Sequence, residues 1–187
     1  MKSNLTLLFG LLLFSTLHAQ VPAYVPTDGL VGWWPFNGNA NDESGNGNDG
    51  VVNGATLAED RFGNSQRAFN FDGSNDLIRI PHMPSLNLIG DYSISIWFLG
   101  NYQNIFNNGW VFIAKRDDNG SCCSPSVPYG VFVPFNATNF GVAGMGYANG
   151  NYSFAVTPNS SPISLDTWQN LIITNNSDNL NFYLNGV

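Results

Sequence analysis

Apolar and polar residues alternate along Tyr92–Phe98, with large apolar side chains at every second position. Because successive side chains of an extended strand point to opposite sides, this pattern predicts a strand with one buried face. Similar short segments recur along the chain. We predict further strands at Leu30–Phe36, Arg67–Phe71, Leu77–Pro81, Trp110–Lys115, Tyr129–Phe135, Tyr152–Thr157, Trp168–Thr174 and Leu180–Leu184.

Clusters of asparagine, aspartate and glycine separate these segments, for example at Asn107–Gly109, Asp117–Gly120 and Asn149–Asn151. Asparagine and glycine tolerate the left-handed backbone conformations that tight turns require. No segment of helical length shows helical periodicity. The pattern therefore predicts an all-β fold, an antiparallel two-sheet β-sandwich of the jelly-roll type.

The two ends of the chain have patterns of their own. Lys2, followed by an apolar run that ends near Ala19, predicts a signal peptide over residues 1–19, too short to cross a membrane as a helix. Residues 20–27 form a leader, and residues 28–187 form one domain. At the other end, Asn185-Gly186 predicts a hairpin turn with a returning strand after it, so we expect a domain incomplete at its C-terminus.

Charge and composition exclude some partners. Loss of Lys2 with the signal leaves five Lys and Arg against thirteen Asp and Glu, so nucleic acid is not an expected partner. Aromatic residues make up 14% of the chain, whereas disordered segments are poor in them. We expect an extracellular β domain, secreted or on a cell surface.

The two cysteines, Cys122 and Cys123, are adjacent and cannot close a long loop by bonding to each other. Three alternatives are open: a vicinal disulfide, bonds to another chain, or free thiols. The oxidising environment of a secreted protein favours the vicinal disulfide.

Several motifs together resemble a known family. They are GLVGWWPFNGNANDESGNGNDG (29–50), RFGN (61–64), AFNFDGSNDLIRI (68–80), YSISIWF (92–98), Trp168 and YLNG (183–186). In this order they are similar to the concanavalin A-like lectin/glucanase superfamily, in its laminin-G-like branch of secreted bacterial proteins. The resemblance implies a jelly-roll module within a longer multidomain chain. It also implies binding of carbohydrate or protein, often with calcium, and glycosidase activity in a minority of branches.

The segment Asn37–Gly50 is rich in the oxygen-bearing side chains that calcium prefers, and a second acidic turn follows at Phe71–Asp76. We hypothesise one structural calcium ion bound by some of these residues. The alternative is that they form ordinary turns in which side chains cap the backbone. The candidate ligands are Asp42, Asn48, Asp49, Asp72 and Asp76.

Enzymatic chemistry has little support in this sequence. Glycoside hydrolysis needs two placed carboxylates, yet the only glutamates, Glu43 and Glu59, lie in loop-like sequence and the alternating acidic motif of jelly-roll glucanases is absent. His82 is the only histidine of the mature domain, and we expect it to be a turn residue. We expect no catalytic residues.

Binding is therefore the expected function, for adhesion or for recognition of a glycan or an extracellular protein. Aromatic residues on strands are mostly core, so we favour loop residues as ligand contacts: Tyr147, Asn149 and Tyr152. A glycoside hydrolase of the jelly-roll type and a passive spacer in a larger surface protein are the alternatives. The tryptophans also offer aromatic surface on which a sugar ring could stack, with the core as the alternative; they are Trp33, Trp34, Trp97, Trp110 and Trp168.

Overall fold

A computed structural model describes residues 21–88, 90–101, 110–115, 129–133, 143–148, 151–156, 163–176 and 179–187. The predicted signal peptide, Asn149, Cys122 and Cys123 lie outside these residues. Within them, the secondary structure consists of β-strands and one short 3-10 turn, Pro84–Leu86. The strands are β1 Val51–Asn53, β2 Thr56–Ala58, β3 Ala68–Asn70, β4 Leu77–Arg79, β5 Tyr92–Leu99, β6 Trp110–Ala114, β7 Tyr129–Val133, β8 Ala143–Ala148, β9 Asn151–Val156, β10 Trp168–Asn176 and β11 Asn179–Leu184.

A three-stranded antiparallel sheet has the order β11–β10–β5. Its long central strand, β10, alternates regularly between buried and half-buried residues, as a strand with one covered face must. Ile173 pairs with Ile94 on one side and with Phe182 on the other. The inner face of this sheet is therefore apolar across all three strands.

A second, four-stranded antiparallel sheet has the order β6–β7–β8–β9, and its strands β8 and β9 contact β10 and β11. The rings of Phe98 on β5 and Phe112 on β6 are 4.5 Å apart, and those of Tyr92 on β5 and Tyr129 on β7 are 6.1 Å apart. Burial raises the pKa of Tyr92 and of Tyr129 to about 12, and the nearby Tyr129 adds to the effect on Tyr92. Two pairs of aromatic rings thus connect β5 of the three-stranded sheet to β6 and β7 of the four-stranded one.

The described core is built mainly on the three-stranded sheet. Its buried members are Phe98, Ile163, Leu171, Ile173, Leu180 and Leu184. Each large apolar side chain that is fully buried contributes about 1.5–3 kcal/mol relative to an exposed position. Gln169 is buried at the edge of this core, where its Oε1 accepts a hydrogen bond of 2.8 Å from the backbone N–H of Ser164.

Two small antiparallel pairs, β1–β4 and β2–β3, lie N-terminal to the larger sheets in sequence. Val51 pairs with Arg79 and Asn53 with Leu77, so β1 and β4 run side by side over three residues. Just before β1, a side chain at Gly50 would come within 2.7 Å of Ile78 Cγ2, which shows how closely this strand start is packed. The sequence pattern did not predict β1, β2 or β8.

The strand predicted at Leu30–Phe36 is wrong, because these residues form no strand. Phe36 has a φ of 57°, which ends any extended run. The remaining predicted strands are present with shifted ends, and no α-helix occurs among the described residues. Nor does any helix there have the length and apolar character needed to cross a membrane. A strand-rich chain with antiparallel sheets is therefore confirmed.

The predicted turn at Asn185-Gly186 is also present. Asn185 and Gly186 have φ values of 54° and 85°, as a two-residue hairpin turn of type I′ requires. Leu184 and Val187 exchange two backbone hydrogen bonds, of 3.1 and 3.2 Å, across it.

Candidate functional site

The acidic segment Asn37–Gly50 folds around the carboxylate of Asp42. Asp42 Oδ1 accepts hydrogen bonds from the backbone N–H groups of Trp33 and Ser44, each 2.9 Å, and Oδ2 accepts one of 3.0 Å from Asn48. The backbone N–H of Asp42 donates in turn to Asp49 Oδ1 at 2.8 Å. Asp42 is thus the centre of a loop closed by hydrogen bonds between side chain and backbone.

Asparagines of the same loop bind the backbone of the segment that precedes it. Asn48, only 1% exposed, donates from Nδ2 to the carbonyl of Val31 at 2.8 Å, and Asn46 Nδ2 reaches the carbonyls of Leu30 and Val31. In return, the indole N–H of Trp34 donates to the carbonyl of Asn48 at 2.9 Å. Leu30–Phe36 therefore finds its hydrogen-bond partners in loop side chains, where a strand would find them in a neighbouring strand.

The electrostatics of Asp42 follow from this geometry. Burial raises its pKa, but hydrogen bonds from the backbone of Trp33, from Ser44 and from the backbone of Asn48 lower it by more. The pKa of Asp42 therefore lies below its ordinary value of 3.8. The ionised carboxylate is the form that this loop requires.

The second acidic turn closes on itself. Asp76 Oδ2 accepts a hydrogen bond of 2.8 Å from the backbone N–H of Asp72, and Asp72 Oδ1 accepts one of 2.8 Å from Ser74. Asp76 also lies directly against Gly54, whose φ of 81° and lack of a side chain admit this contact. These interactions are those of a turn capped by its own side chains.

The five residues predicted as calcium ligands thus form two groups. Asp42, Asn48 and Asp49 lie before β1, whereas Asp72 and Asp76 lie before β4. Since β1 and β4 are antiparallel, these positions are at opposite ends of the pair, on the order of 15 Å apart along the strands.

A calcium ion would have to be bound by the oxygens of these residues. Three of the roughly four lone-pair positions of the Asp42 carboxylate already accept backbone N–H groups. No cluster of three or more His, Cys, Asp or Glu residues suited to a metal ion occurs in the part of the chain that the structure describes. Calcium takes six or more oxygen ligands, so an ion here would also need amide and backbone carbonyl oxygens, and the calcium ion stays a prediction.

The predicted ligand-binding residues belong to the β8–β9 hairpin. Tyr147 on β8 and Tyr152 on β9 are directly opposite each other in the ladder, two residues from the point where the strands are joined by Asn149 and Gly150. The structure thus brings the backbones of the two tyrosines together. Asn149 is outside the described residues.

The outward face of the three-stranded sheet combines aromatic and amide side chains. Trp97 on β5 is 48% exposed and pairs with Asn170 on β10, while Tyr183 on β11 is 40% exposed and pairs with Ile172. Asn170 Nδ2 donates to Ser95 Oγ at 3.1 Å and to the Ile96 carbonyl at 3.2 Å. We call this surface the outer face; its members are Ser93, Ser95, Trp97, Leu99, Trp168, Asn170, Ile172, Thr174, Asn179, Asn181 and Tyr183.

One cation contacts the outer face at its β5 edge. The guanidinium carbon of Arg61 lies 4.4 Å from the ring centre of Trp97 and 4.4 Å from that of Phe62. The neighbouring Asp60 carboxylate accepts hydrogen bonds from the Phe62 and Asn64 backbones and from the Asn64 amide. Stacking between two rings thus holds Arg61 and its turn beside the sheet.

Trp97 lies outside the core, with 48% of its surface exposed. The alternation in Tyr92–Phe98 contained the signal, because Trp97 falls on the side opposite Ile94 and Phe98. The sequence interpretation gave this alternation less weight than the general rule that aromatic residues on strands are mostly in the core.

Comparison with known families identifies the family of this chain. A family model of the laminin G type, described as the concanavalin A-like lectin/glucanases superfamily, matches residues 72–187, more than half of the chain. The chain belongs to this family. Comparisons with curated proteins and with solved structures each found no match.

Proposed function

We propose that this chain is a secreted or cell-surface module that binds a glycan or an extracellular protein. The observation that carries the proposal is the outer face, where Trp97 and Tyr183 are exposed among amide and hydroxyl side chains. Exposed aromatic rings that adjoin polar groups are typical of recognition surfaces, because each ring offers a large apolar area at low entropic cost. The apolar run and small residues near the N-terminus support export of the chain.

The proposal includes a two-layer arrangement of the larger sheets. The ring contact between Phe98 and Phe112 and the shared core support it, since both connect the three-stranded sheet to the four-stranded one. Such a sandwich would leave the outer face of β11–β10–β5 directed away from the core, as its exposure suggests. We further propose that the module acts within a longer multidomain chain.

A structural calcium ion is part of the proposal only as a stabiliser of Asn37–Gly50. A ligand that binds only the folded state stabilises it by RT ln(1 + [L]/Kd), and so raises the melting temperature once its concentration exceeds Kd. Melting of the purified protein with saturating calcium and with chelator tests this, and equal melting temperatures would remove calcium from the account. The residue to substitute is Asp49, with Asp76 of the other group as the control.

The binding function itself is tested with a glycan array and with pull-down of extracellular proteins, each with and without calcium. We expect a specific signal in one of them. A blank result in both would leave the passive spacer, and release of sugar from β-glucans by the domain would replace binding with hydrolysis. Our proposal assigns no catalytic residue, because Glu43 and Glu59 lie in loop-like sequence and the alternating acidic motif of jelly-roll glucanases is absent.

A further inference from the structure

We infer that the outer face is the binding site and that its ligand is an uncharged glycan. This inference rests on the proposed binding function and adds its location and the chemical class of its ligand. Six residues carry the argument: Ser95, Trp97, Asn170, Thr174, Asn181 and Tyr183.

The register of the sheet arranges these residues in rows. Trp97 and Asn170 form one row, Ser95 and Tyr183 belong to the next, and Thr174 and Asn181 belong to the third. Trp97 and Tyr183 are therefore separated by roughly 10 Å across the strands and about 7 Å along them. Asn170 and Ile172 of β10 lie between the two rings, and Ser95 lies beside them on β5.

This arrangement matches the chemistry of a sugar chain. A pyranose ring has apolar C–H faces that pack on aromatic rings and equatorial hydroxyls that exchange hydrogen bonds with amides and hydroxyls. The hydrogen bonds from Asn170 Nδ2 to Ser95 Oγ and the Ile96 carbonyl fix its amide along the face. The polar groups are thus held in place before a ligand arrives, which lowers the entropic cost of binding.

The absence of charged residues on the strands of the outer face favours a neutral glycan over an acidic one. Strands β5, β10 and β11 contain no Asp, Glu, Lys or Arg, although the whole chain has a formal charge of -7. An acidic polysaccharide would meet repulsion from the chain and no cation on the sheet itself. Arg61 contacts the face only at its edge, stacked between Phe62 and Trp97.

Area argues against a protein as the ligand. Three strands of six to nine residues present a face of roughly 15 by 25 Å, about 400 Å². A specific protein complex buries about 800 Å² on each partner. A few sugar units fit the face, whereas a folded protein would have to extend far beyond it.

The test is affinity electrophoresis or calorimetry with neutral polysaccharides (β-glucan, xylan, mannan) and acidic ones (polygalacturonate, alginate). We expect binding to a neutral polymer that varies little with salt. Trp97→Ala and Tyr183→Ala should each weaken it roughly tenfold or more. Tyr24→Ala, which removes an exposed tyrosine outside the face, is the control and should bind as the unmodified protein does.

Two more variants keep the outcome interpretable if Trp97→Ala destabilises the domain. Asn181→Asp adds a charge to an exposed position and should weaken neutral binding, with an unchanged melting temperature. Arg61→Gln removes the guanidinium that stacks on Trp97 and should still bind a neutral polymer, because no charged group is engaged by the ligand. Binding of acidic polymers that is lost in Arg61→Gln would overturn the inference.

The results also separate this inference from the broader function. Glycan binding that ignores Trp97, Tyr183 and Asn181 keeps the binding module and overturns the outer-face site. Capture of an extracellular protein through these three residues keeps the outer-face site but overturns the neutral glycan as its ligand. Absence of any glycan or protein ligand overturns both.

Discussion

At the scale of single residues, Asp42 and Asn48 explain why a highly polar segment adjoins the hydrophobic residues Leu30–Phe36. The carboxylate gathers three backbone N–H groups and the buried amide satisfies the Val31 carbonyl. Oxygen-rich composition is required here for hydrogen bonding within the loop, whether or not a cation adds to it.

Replacing Asn48 with alanine removes a buried amide and its 2.8 Å hydrogen bond to the Val31 carbonyl, which keeps only the 3.1 Å bond from Asn46 Nδ2. We expect a loss of about 1–3 kcal/mol in the free energy of unfolding, measured by urea denaturation. The matched control is Asn53→Ala, since Asn53 also donates from Nδ2 to a backbone carbonyl but is exposed. Its cost should stay within about 0.5 kcal/mol. Equal losses in the two variants would contradict the role given to Asn48.

The lowered pKa of Asp42 predicts a dependence of stability on pH. Because the folded-state pKa lies below 3.8, the ionised carboxylate stabilises the fold above that pH, and its contribution is lost as pH falls through the folded-state value. The stability difference between the unmodified protein and Asp42→Asn should therefore be largest near neutrality and shrink below pH 3.8.

Asp60 also has a lowered pKa, chiefly through the hydrogen bond from the Asn64 side chain. Because Asp60 is present in both proteins, its contribution to the pH dependence cancels in the stability difference. A difference that stays constant down to the lowest pH at which both proteins fold would show that Asp42 is not stabilised as a carboxylate.

At the scale of elements, alternation was enough to predict β5, β10 and β11, because each has one face on the core. The apolar composition of Leu30–Phe36 was misleading, because it indicated a strand. The hydrogen-bond partners of the Leu30 and Val31 carbonyls are loop side chains. Alternation missed β1, whose three residues are all exposed and carry no burial pattern. The local sequence pattern predicts which residues are buried more reliably than it predicts which backbone segments pair.

The two faces of β10 supply a matched pair of substitutions. Ile173 is 2% exposed in the core, whereas its neighbour Ile172 is half-buried on the outer face. We expect Ile173→Ala to cost about 2–5 kcal/mol of unfolding free energy, because it leaves a cavity. Ile172→Ala should cost clearly less when both are measured by urea denaturation. A reversed order would mean that the register or the buried face of β10 is wrong.

At the scale of the whole molecule, the family and the strand-rich fold could be predicted from sequence motifs, while the candidate binding surface could not. The motifs run from Gly29 to Gly186, and the family match over residues 72–187 agrees with them. The outer face depends on which strands are neighbours, because Trp97 and Asn170 are paired although they are 73 residues apart in the sequence (170 minus 97), and β11 then brings Tyr183 beside them. Favouring loop residues over strand aromatics directed the sequence interpretation towards Tyr147 and Tyr152 instead.

The most direct test of the account is to map a bound ligand by NMR. The isotope-labelled protein is titrated with a short neutral oligosaccharide taken from the polymer that it binds best. The account predicts that the largest chemical-shift changes occur at Trp97, Asn170 and Tyr183 and their neighbours on β5, β10 and β11. Changes concentrated instead at the β8–β9 hairpin or at Asn37–Gly50 would contradict it.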